Sequence, residues 1–331
     1  MAQTIYDNHG RPITYVRLAI TDRCNLRCFY CMPAEGITYV SRKHLLSYEE
    51  LLRLMNILAG LGITKVRITG GEPFLRKDLL SFLTALKAIP GIEQINLTTN
   101  GVLTRPHVPA LKPLLSSVNL SLDTLDRERF KEITRRDELA KVLDCLEELI
   151  AHEIPTKINA VVMDGKNIED IHALAELTRT RAIGVRFIEE MPFNGTGEHH
   201  EVLHWNHQQI LDELKSHYPD LHPIPHGPHS TSVNYQIPGF AGNLGIIAAF
   251  SRTFCGSCNR IRITPNGLLK TCLYDDGVFQ LRDFIRTEVG DDAIRDAFLN
   301  AFGNRAKNGF EAEQQRSKHR PASESMSTIG G

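Results

Sequence analysis

Tyr15-Val16-Arg17-Leu18-Ala19-Ile20-Thr21-Asp22-Arg23-Cys24-Asn25-Leu26-Arg27-Cys28-Phe29-Tyr30-Cys31 is the stretch from which the rest of the chain is read. Its first half, Tyr15 to Thr21, is short, rich in β-formers and ends in polar residues, which predicts a strand. Its second half is a C-x3-C-x2-C loop, so three thiolates can converge on one centre. A closed structural zinc site wants four ligands, and a cubane iron–sulfur cluster normally takes four cysteines. With three, one iron stays free to bind a substrate. A zinc loop that borrows a nearby histidine such as His44 is the plainer alternative.

Working outward, strands are also predicted at Lys65 to Thr69, Ile95 to Thr99, Val118 to Leu122, Lys157 to Met163 and Val185 to Glu189. Helices are predicted between them at Tyr48 to Leu61, Asp78 to Ile89, Asp126 to Ile133, Glu138 to His152 and Ile168 to Thr180. Ser47 caps the first of these, with Glu49 and Glu50 in the turn where carboxylates suit the helix dipole. This βαβα order predicts a parallel sheet with right-handed crossovers. Six units fall short of an eightfold barrel, so the expected fold is α/β, a partial (β/α)6 TIM-like barrel over residues 1–243.

Near residue 190 the pattern changes. Met191 to His204 and His222 to Gly242 read as loops, with a helix at Trp205 to His217. Short strands follow at Leu244 to Phe250, Arg260 to Thr264 and Leu268 to Cys272, with a Pro265-Asn266-Gly267 turn. Phe279 to Thr287 and Asp291 to Phe302 look helical. Residues 244–331 are expected to form a C-terminal extension carrying a second cluster, and its tail from Lys307 is expected to be mobile unless something docks it.

Composition narrows the function. The 331 residues, prior for about two domains, are 42% hydrophobic and 23% charged, which is ordinary for a globular protein. Lys and Arg number 38 against 39 Asp and Glu, a net charge of -1, so no bulk charge draws the chain to nucleic acid or membrane. An anionic ligand then needs a local cluster of basic residues. The polar start, Met1 to Pro12, lacks a signal-peptide core, and no apolar run approaches the roughly 18 residues of a bilayer span. A soluble, cytoplasmic protein is expected.

The seven cysteines fall into two groups of three, with Cys145 alone among Leu143, Leu146 and Leu149 as a buried small hydrophobe. An odd count without an export signal argues against a disulfide framework and for metal. The second group is Cys255-x2-Cys258-x13-Cys272, again without a fourth ligand. A zinc ribbon or a purely structural cluster is the plain reading. Arg260 and Arg262 alternate on one predicted strand and so share a face, which suits a phosphate-bearing ligand beside the metal. Thr69-Gly70-Gly71-Glu72-Pro73 ends the second strand, where two glycines let backbone approach a ligand closely.

Cys24-x3-Cys28-x2-Cys31 together with Gly70-Gly71-Glu72-Pro73 resembles the radical S-adenosylmethionine (SAM) superfamily. Val16-Arg17-Leu18, Thr21 to Cys24, Arg67 to Pro73, Cys255 to Arg262 with Cys272, and the ending Met326-Ser327-Thr328-Ile329-Gly330-Gly331 extend that resemblance to the GTP 3′,8-cyclase family of molybdenum cofactor biosynthesis. The resemblance implies two 4Fe-4S clusters. Cys24, Cys28 and Cys31 would hold the first, whose open iron SAM chelates, and Cys255, Cys258 and Cys272 the second, whose open iron binds the guanine base. It implies SAM contacts at Tyr30, Gly70, Gly71, Glu72, Ser121 and Met191, and GTP contacts at Arg17, Arg67, Thr98, Lys157, Arg260 and Arg262. Arg17, Gly330 and Gly331 carry over as catalytic, the tail reaching into the barrel.

The implied reaction is that of a lyase: a 5′-deoxyadenosyl radical takes the ribose 3′ hydrogen of GTP, and C3′ then joins C8. The implied partners are GTP, SAM, an electron donor such as flavodoxin or ferredoxin, and a downstream cyclic pyranopterin monophosphate synthase, with neither nucleic acid nor membrane, and with a homodimer among the assemblies allowed. A peptide- or RNA-modifying radical SAM protein and a zinc-stabilised binding module or electron carrier are the competing readings. His199, His200, His204 and His207 read as solvated, and Asp275-Asp276-Gly277 as an ordinary turn. The functional reading requires both thiol triplets to face one cavity.

Overall fold

The computed structural model describes residues 4–197, 205–287, 289–317 and 320–331. Strands β1 (Tyr15–Ala19), β2 (Lys65–Thr69), β3 (Gln94–Thr99), β4 (Ser117–Ser121), β5 (Thr156–Val162) and β6 (Gly184–Glu189) alternate with helical segments. These are α1 (Tyr48–Gly60), α2 (Leu79–Lys87), the short α3 (Val108–Leu111), α4 (Arg127–Thr134), α5 (Leu139–Ala151) and α6 (Asp170–Thr180). Each neighbouring pair from β1 to β6 is parallel. Ser47 closes a reciprocal cap on α1: Glu50 N–H donates to Ser47 Oγ at 3.1 Å, and Ser47 N–H donates to Glu50 Oε2 at 2.6 Å.

The period-two alternation of the strands divides the protein into two regions. Val16 and Leu18 of β1, Val66 and Ile68 of β2, and Val118 and Leu120 of β4 are fully buried. They join the apolar faces of the helices, including Leu54 and Leu58 of α1, Phe82 and Leu86 of α2, and Val142 and Leu149 of α5. The intervening positions, Tyr15, Arg17, Lys65, Arg67, Asn119, Lys157 and Asn159, line a central cavity instead.

Beyond β6 lie α7 (His207–His217), β7 (His222–Ile224), β8 (Ser232–Gln236), β9 (Asn243–Ile247), β10 (Arg260–Ile263), β11 (Leu268–Lys270) and β12 (Phe279–Gln280). Then come α8 (Leu281–Ile285), α9 (Asp291–Gly303), α10 (Gly309–Gln314) and α11 (Met326–Ile329). The sheet order is β12-β11-β10-β1-β2-β3-β4-β5-β6-β9-β8-β7. β10 adds parallel to β1 and β9 parallel to β6, so the six-stranded core is lengthened at both ends without closing. The partial TIM-like barrel is therefore observed, with more strands than the alternating units supply.

Two expectations need correction. His222 to Gly242 is not all loop: β7 and β8 pair antiparallel and extend the sheet past β9. Pro223 disguises β7, yet an outermost strand tolerates a residue without an N–H donor. The tail is docked, as the resemblance implies. Phe193, Tyr274, Ala312 and Ile329 form a small second core against it, and Met326 N–H donates to Phe193 O at 3.1 Å. His207 is not simply solvated, because its Nδ1 lies 2.9 Å from Glu189 Oε1. His199, His200 and His204 lie outside the described residues. Cys145 is fully buried in the main core, as its neighbours predict.

Glu189, at the end of β6, ties the extension to the barrel. Its buried carboxylate accepts from Phe250 N–H, Ser251 N–H, Ser251 Oγ and His207 N–H at 2.9, 2.7, 2.8 and 2.7 Å. An unsatisfied buried donor costs about 1–3 kcal/mol. Glu189→Ala strands several at once, so chemical denaturation should show a loss of about 3 kcal/mol or more. A loss under about 1 kcal/mol would mean that water replaces the carboxylate there.

Candidate active site

The loop from Cys24 to Cys31 leaves the C-terminal end of β1, the end at which such strand–helix folds place their chemistry. The glycines at the end of β2 make room for it. A Cβ on Gly70 would lie 2.2 Å from Thr21 O, and one on Gly71 would lie 2.2 Å from Arg23 O. Gly71 N–H and Glu72 N–H donate to those two carbonyls, each at 2.7 Å. The close approach that requires glycine is thus to the backbone of the cysteine loop, although both glycines also line the cavity.

Glu72 does something different from its neighbours. Its side chain is fully buried and holds the end of β3, accepting from Thr99 Oγ1 at 2.9 Å and Asn100 N–H at 2.8 Å. Burial pushes its carboxyl up to about 7. Tyr30 lines the cavity and donates from its hydroxyl to Asp123 Oδ2 at 2.8 Å, while Asp123 Oδ1 accepts from Val161 N–H at 2.8 Å. Thr98, Ser121 and Met191 are cavity-lining as expected.

All six grouped cysteines border the same cavity, about 770 Å³ in volume. Burial pushes the thiols of Cys24, Cys31 and Cys272 up to about 12, 11 and 11, and raises those of Cys28 and Cys255. Cys258 differs. Burial raises it too, but Arg260 and Arg305 outweigh burial and bring its thiol down to about 6.

A buried charge cluster fastens the second cysteine group. Arg305 donates to Cys258 O, Arg260 O and Thr271 O at 3.2, 3.0 and 3.0 Å, so one guanidinium binds the segments that carry Cys258 and Cys272. Arg11 donates to Cys255 O at 3.2 Å. The fully buried Asp7 carboxylate neutralises both, at 2.7 Å from Arg11 and 3.0 Å from Arg305. Asp275 is more than a turn residue: Oδ2 accepts from Thr271 N–H and Cys272 N–H, each at 2.8 Å.

Between the cysteine groups lies a field of cations arranged by strand register. Arg262, Arg17 and Arg67 stand in one row across β10, β1 and β2. Arg260, Tyr15 and Lys65 stand in the row beside it. Thr98, Asn119 and Lys157 form a separate row across β3, β4 and β5, out of register with the other two. Arg186 on β6 also faces the cavity. Burial pulls Arg17, Lys157 and Arg262 down to about 10, 8 and 9, with neighbouring cations adding to the effect. The tail meets this field, for Arg262 donates to Gly330 O at 2.6 Å and Arg17 to Gly331 O. Gly331 borders the cavity, and Ser325 Oγ donates to Cys31 O at 2.7 Å, so the tail touches the first cysteine loop as well.

The donor set fits two clusters. Among the described residues, no three His, Cys, Asp or Glu side chains converge to hold a single metal ion. A cubane makes a different demand, one thiolate to each of three irons. The cavity wall also carries buried polar atoms with no protein partner, among them Thr69 Oγ1, Asn119 Oδ1, Asn159 Oδ1 and Arg186 Nε. Such atoms fit a polar ligand filling the space.

Sequence reading missed Tyr15, Lys65, Asn119, Asn159 and Arg186. Lys65 was reachable, two residues from Arg67 on one strand and hence on its face. Arg186 needed the alignment of β6 against β5, which opposes it to Asn159.

The thiol contrast gives a direct test. In protein freed of its clusters at pH 7, Cys258 carries the largest thiolate fraction of the six. Timed alkylation followed by peptide mass spectrometry should label it first. Equal rates at Cys258 and Cys24 would contradict the electrostatic role of Arg260 and Arg305.

A model of the Radical SAM superfamily matches residues 18–178, and a model described as Molybdenum Cofactor Synthesis C matches residues 183–311. The chain is 44% identical to a GTP 3′,8-cyclase of Geobacter sulfurreducens, over 86% of this chain and 87% of that protein. It is 37% identical to a GTP 3′,8-cyclase of Listeria monocytogenes, over 99% of this chain and 100% of that protein. It is 41% identical to Molybdenum cofactor biosynthesis protein 1 of Drosophila melanogaster over 95% of this chain. It spans between 45% and 56% of the length of the animal relatives it matches. Streptococcus suis SuiB bound to S-adenosylmethionine shares the fold, with a TM-score of 0.58 at 15% identity over 87% of this chain and 69% of that one. On the identity shared with the bacterial cyclases, the chain belongs to the GTP 3′,8-cyclase family of the radical SAM superfamily.

Proposed function

We propose that this chain converts GTP to 3′,8-cyclo-7,8-dihydro-GTP, an early step of molybdenum cofactor biosynthesis. The observation that carries the reading is the single cavity bordered by both cysteine triplets and by the cation rows between them. When bound, the first cluster and SAM together supply a 5′-deoxyadenosyl radical able to remove the ribose 3′ hydrogen.

The residues then divide the work. Tyr30, held by Asp123, presents a ring beside Cys31, where adenine can lie against it. Arg17, Lys65, Arg67, Lys157 and Arg186 offer charge and fixed donors to a triphosphate of roughly four negative charges. Their strands hold that geometry before substrate arrives, so little side-chain order is lost on binding. Anchoring the phosphates fixes the ribose between the two cysteine groups, and a fixed sugar exposes one C–H bond to abstraction. Joining C3′ to C8 leaves the guanine ring needing one electron and one proton. Arg260, which donates to Cys258 Sγ at 3.5 Å, and Arg262 line the cavity and can receive the base.

An electron donor such as flavodoxin or ferredoxin, a downstream cyclic pyranopterin monophosphate synthase, a homodimer and a cytoplasmic setting belong to the same reading. No helix among the described residues is long and apolar enough to cross a membrane.

Anaerobically loaded protein should contain about eight irons per chain. With dithionite, SAM and GTP it should form 5′-deoxyadenosine coupled to loss of GTP. Absence of that coupling in fully loaded protein overturns the reading. Lys157→Met should weaken GTP binding at least about tenfold, because a desolvated charge contact to an anion is worth more than about 1.4 kcal/mol. SAM affinity should stay unchanged, and an equal loss for SAM would misplace Lys157.

A further inference from the structure

The cation rows enclose one group of another kind. Tyr15 on β1 stands in register between Lys65 of β2 and Arg260 of β10. Arg67 Nε donates to its hydroxyl at 2.7 Å, and Lys65 Nζ sits over its ring, 5.1 Å from the centroid. Arg17 on its own strand, Lys157 of β5, Arg186 of β6 and Arg262 of β10 complete the charged surroundings. No ion pair joins any of these cations to an Asp or Glu side chain among the described residues. Tyr15 offsets part of the charge of Arg17, Lys65, Lys157 and Arg186, and Arg17 also donates to Gly331 O.

We propose that Tyr15 is a positioning residue whose hydroxyl serves as the internal counter-ion of the cation rows, and that an incoming polyphosphate displaces it from that role and returns a proton to it. This rests on the reading of the cavity as a polyphosphate site. The chemistry follows from the enclosure. Burial raises a phenol, but here Arg67, Arg17 and Lys65 overcome burial and bring Tyr15 down to about 7. Near neutral pH the empty site therefore holds a partly ionised phenol that keeps the Arg67 guanidinium turned into the cavity. A bound triphosphate supplies its own oxygens to the same cations and repels the phenolate, so the neutral phenol becomes the stable form.

The sign is fixed by linkage. Binding raises the Tyr15 pKa, so it takes up a proton wherever the free protein has lost one. Affinity for a fully ionised polyphosphate then falls as pH rises above about 7, at most about tenfold per pH unit for one proton. Lys157, at about 8 in the empty cavity, titrates in an overlapping range and adds its own proton uptake. The readout must therefore be specific to tyrosine.

Ultraviolet difference spectra of the cluster-loaded protein, taken between pH 6 and 9 with and without inorganic triphosphate, provide it. One tyrosinate should appear with a midpoint near pH 7 in the free protein and shift upward by about one pH unit or more at saturating triphosphate. In Tyr15→Phe, which keeps the ring over Lys65, that tyrosinate should be absent, and triphosphate affinity should lose the Tyr15 part of its pH dependence. Lys157→Met should retain the tyrosinate. If the native protein shows no tyrosinate below about pH 9, the proposal is overturned. It is equally overturned if Tyr15→Phe shows the same tyrosinate, or if bound triphosphate leaves it in place, and in each of these cases the polyphosphate reading of the cavity survives. Failure of triphosphate to bind the native protein at any pH overturns both.

Discussion

Arg17, Lys65, Arg67, Lys157, Arg186, Arg260 and Arg262 repel one another, and the parallel register of β10, β1, β2, β5 and β6 keeps them facing one void. Neighbouring strands lie about 4.8 Å apart. Two unit charges 6 Å apart at an effective dielectric of 20 repel by about 3 kcal/mol. Such an arrangement persists only where the backbone is held by other means. Here the apolar alternate residues, Val16, Leu18, Val66 and Ile68, anchor the same strands to the helices behind them. The core thus supplies the stability that the cavity wall gives up, and the wall is left as a template for an anion.

The two cysteine-bearing regions share arginine-to-carbonyl contacts and differ in what else seats them. The entry to the Cys24 to Cys31 loop packs its backbone against Gly70 and Gly71, and Arg27 and Arg135 donate to the carbonyls of Cys24, Leu26, Arg27 and Met32. The Cys255, Cys258 and Cys272 segments are gathered by charge: Arg305 and Arg11 converge on their carbonyls, and Asp7 neutralises both guanidiniums. Burial raises the thiols of both groups except Cys258, which adjacent arginines lower. The tail spans the gap, reaching Arg17 and Arg262 through its last carbonyls and Cys31 through Ser325.

What the sequence reveals is what is local. Cysteine spacing, the glycine pair, the Ser47 cap and the strand–helix alternation each lie within a few residues of each other, and each is observed. What depends on distant partners is hidden. Arg186 joins the site only through the register of β6 against β5, and β8 becomes a strand only because β9 lies beside it. The carboxylate of Glu72 follows a motif full of cavity-lining neighbours, yet the end of β3 claims it. The tail's ending is legible as a motif, but its anchors, Phe193 and Tyr274, lie far away in the chain and are not.

The central claim is that both cysteine triplets address one space. Electron paramagnetic resonance of the protein with both clusters reduced tests it most directly. The account predicts mutual magnetic broadening of the two signals, lost when either triplet is replaced by alanine. A spectrum equal to the simple sum of the two single-cluster variants would place the clusters apart and contradict it.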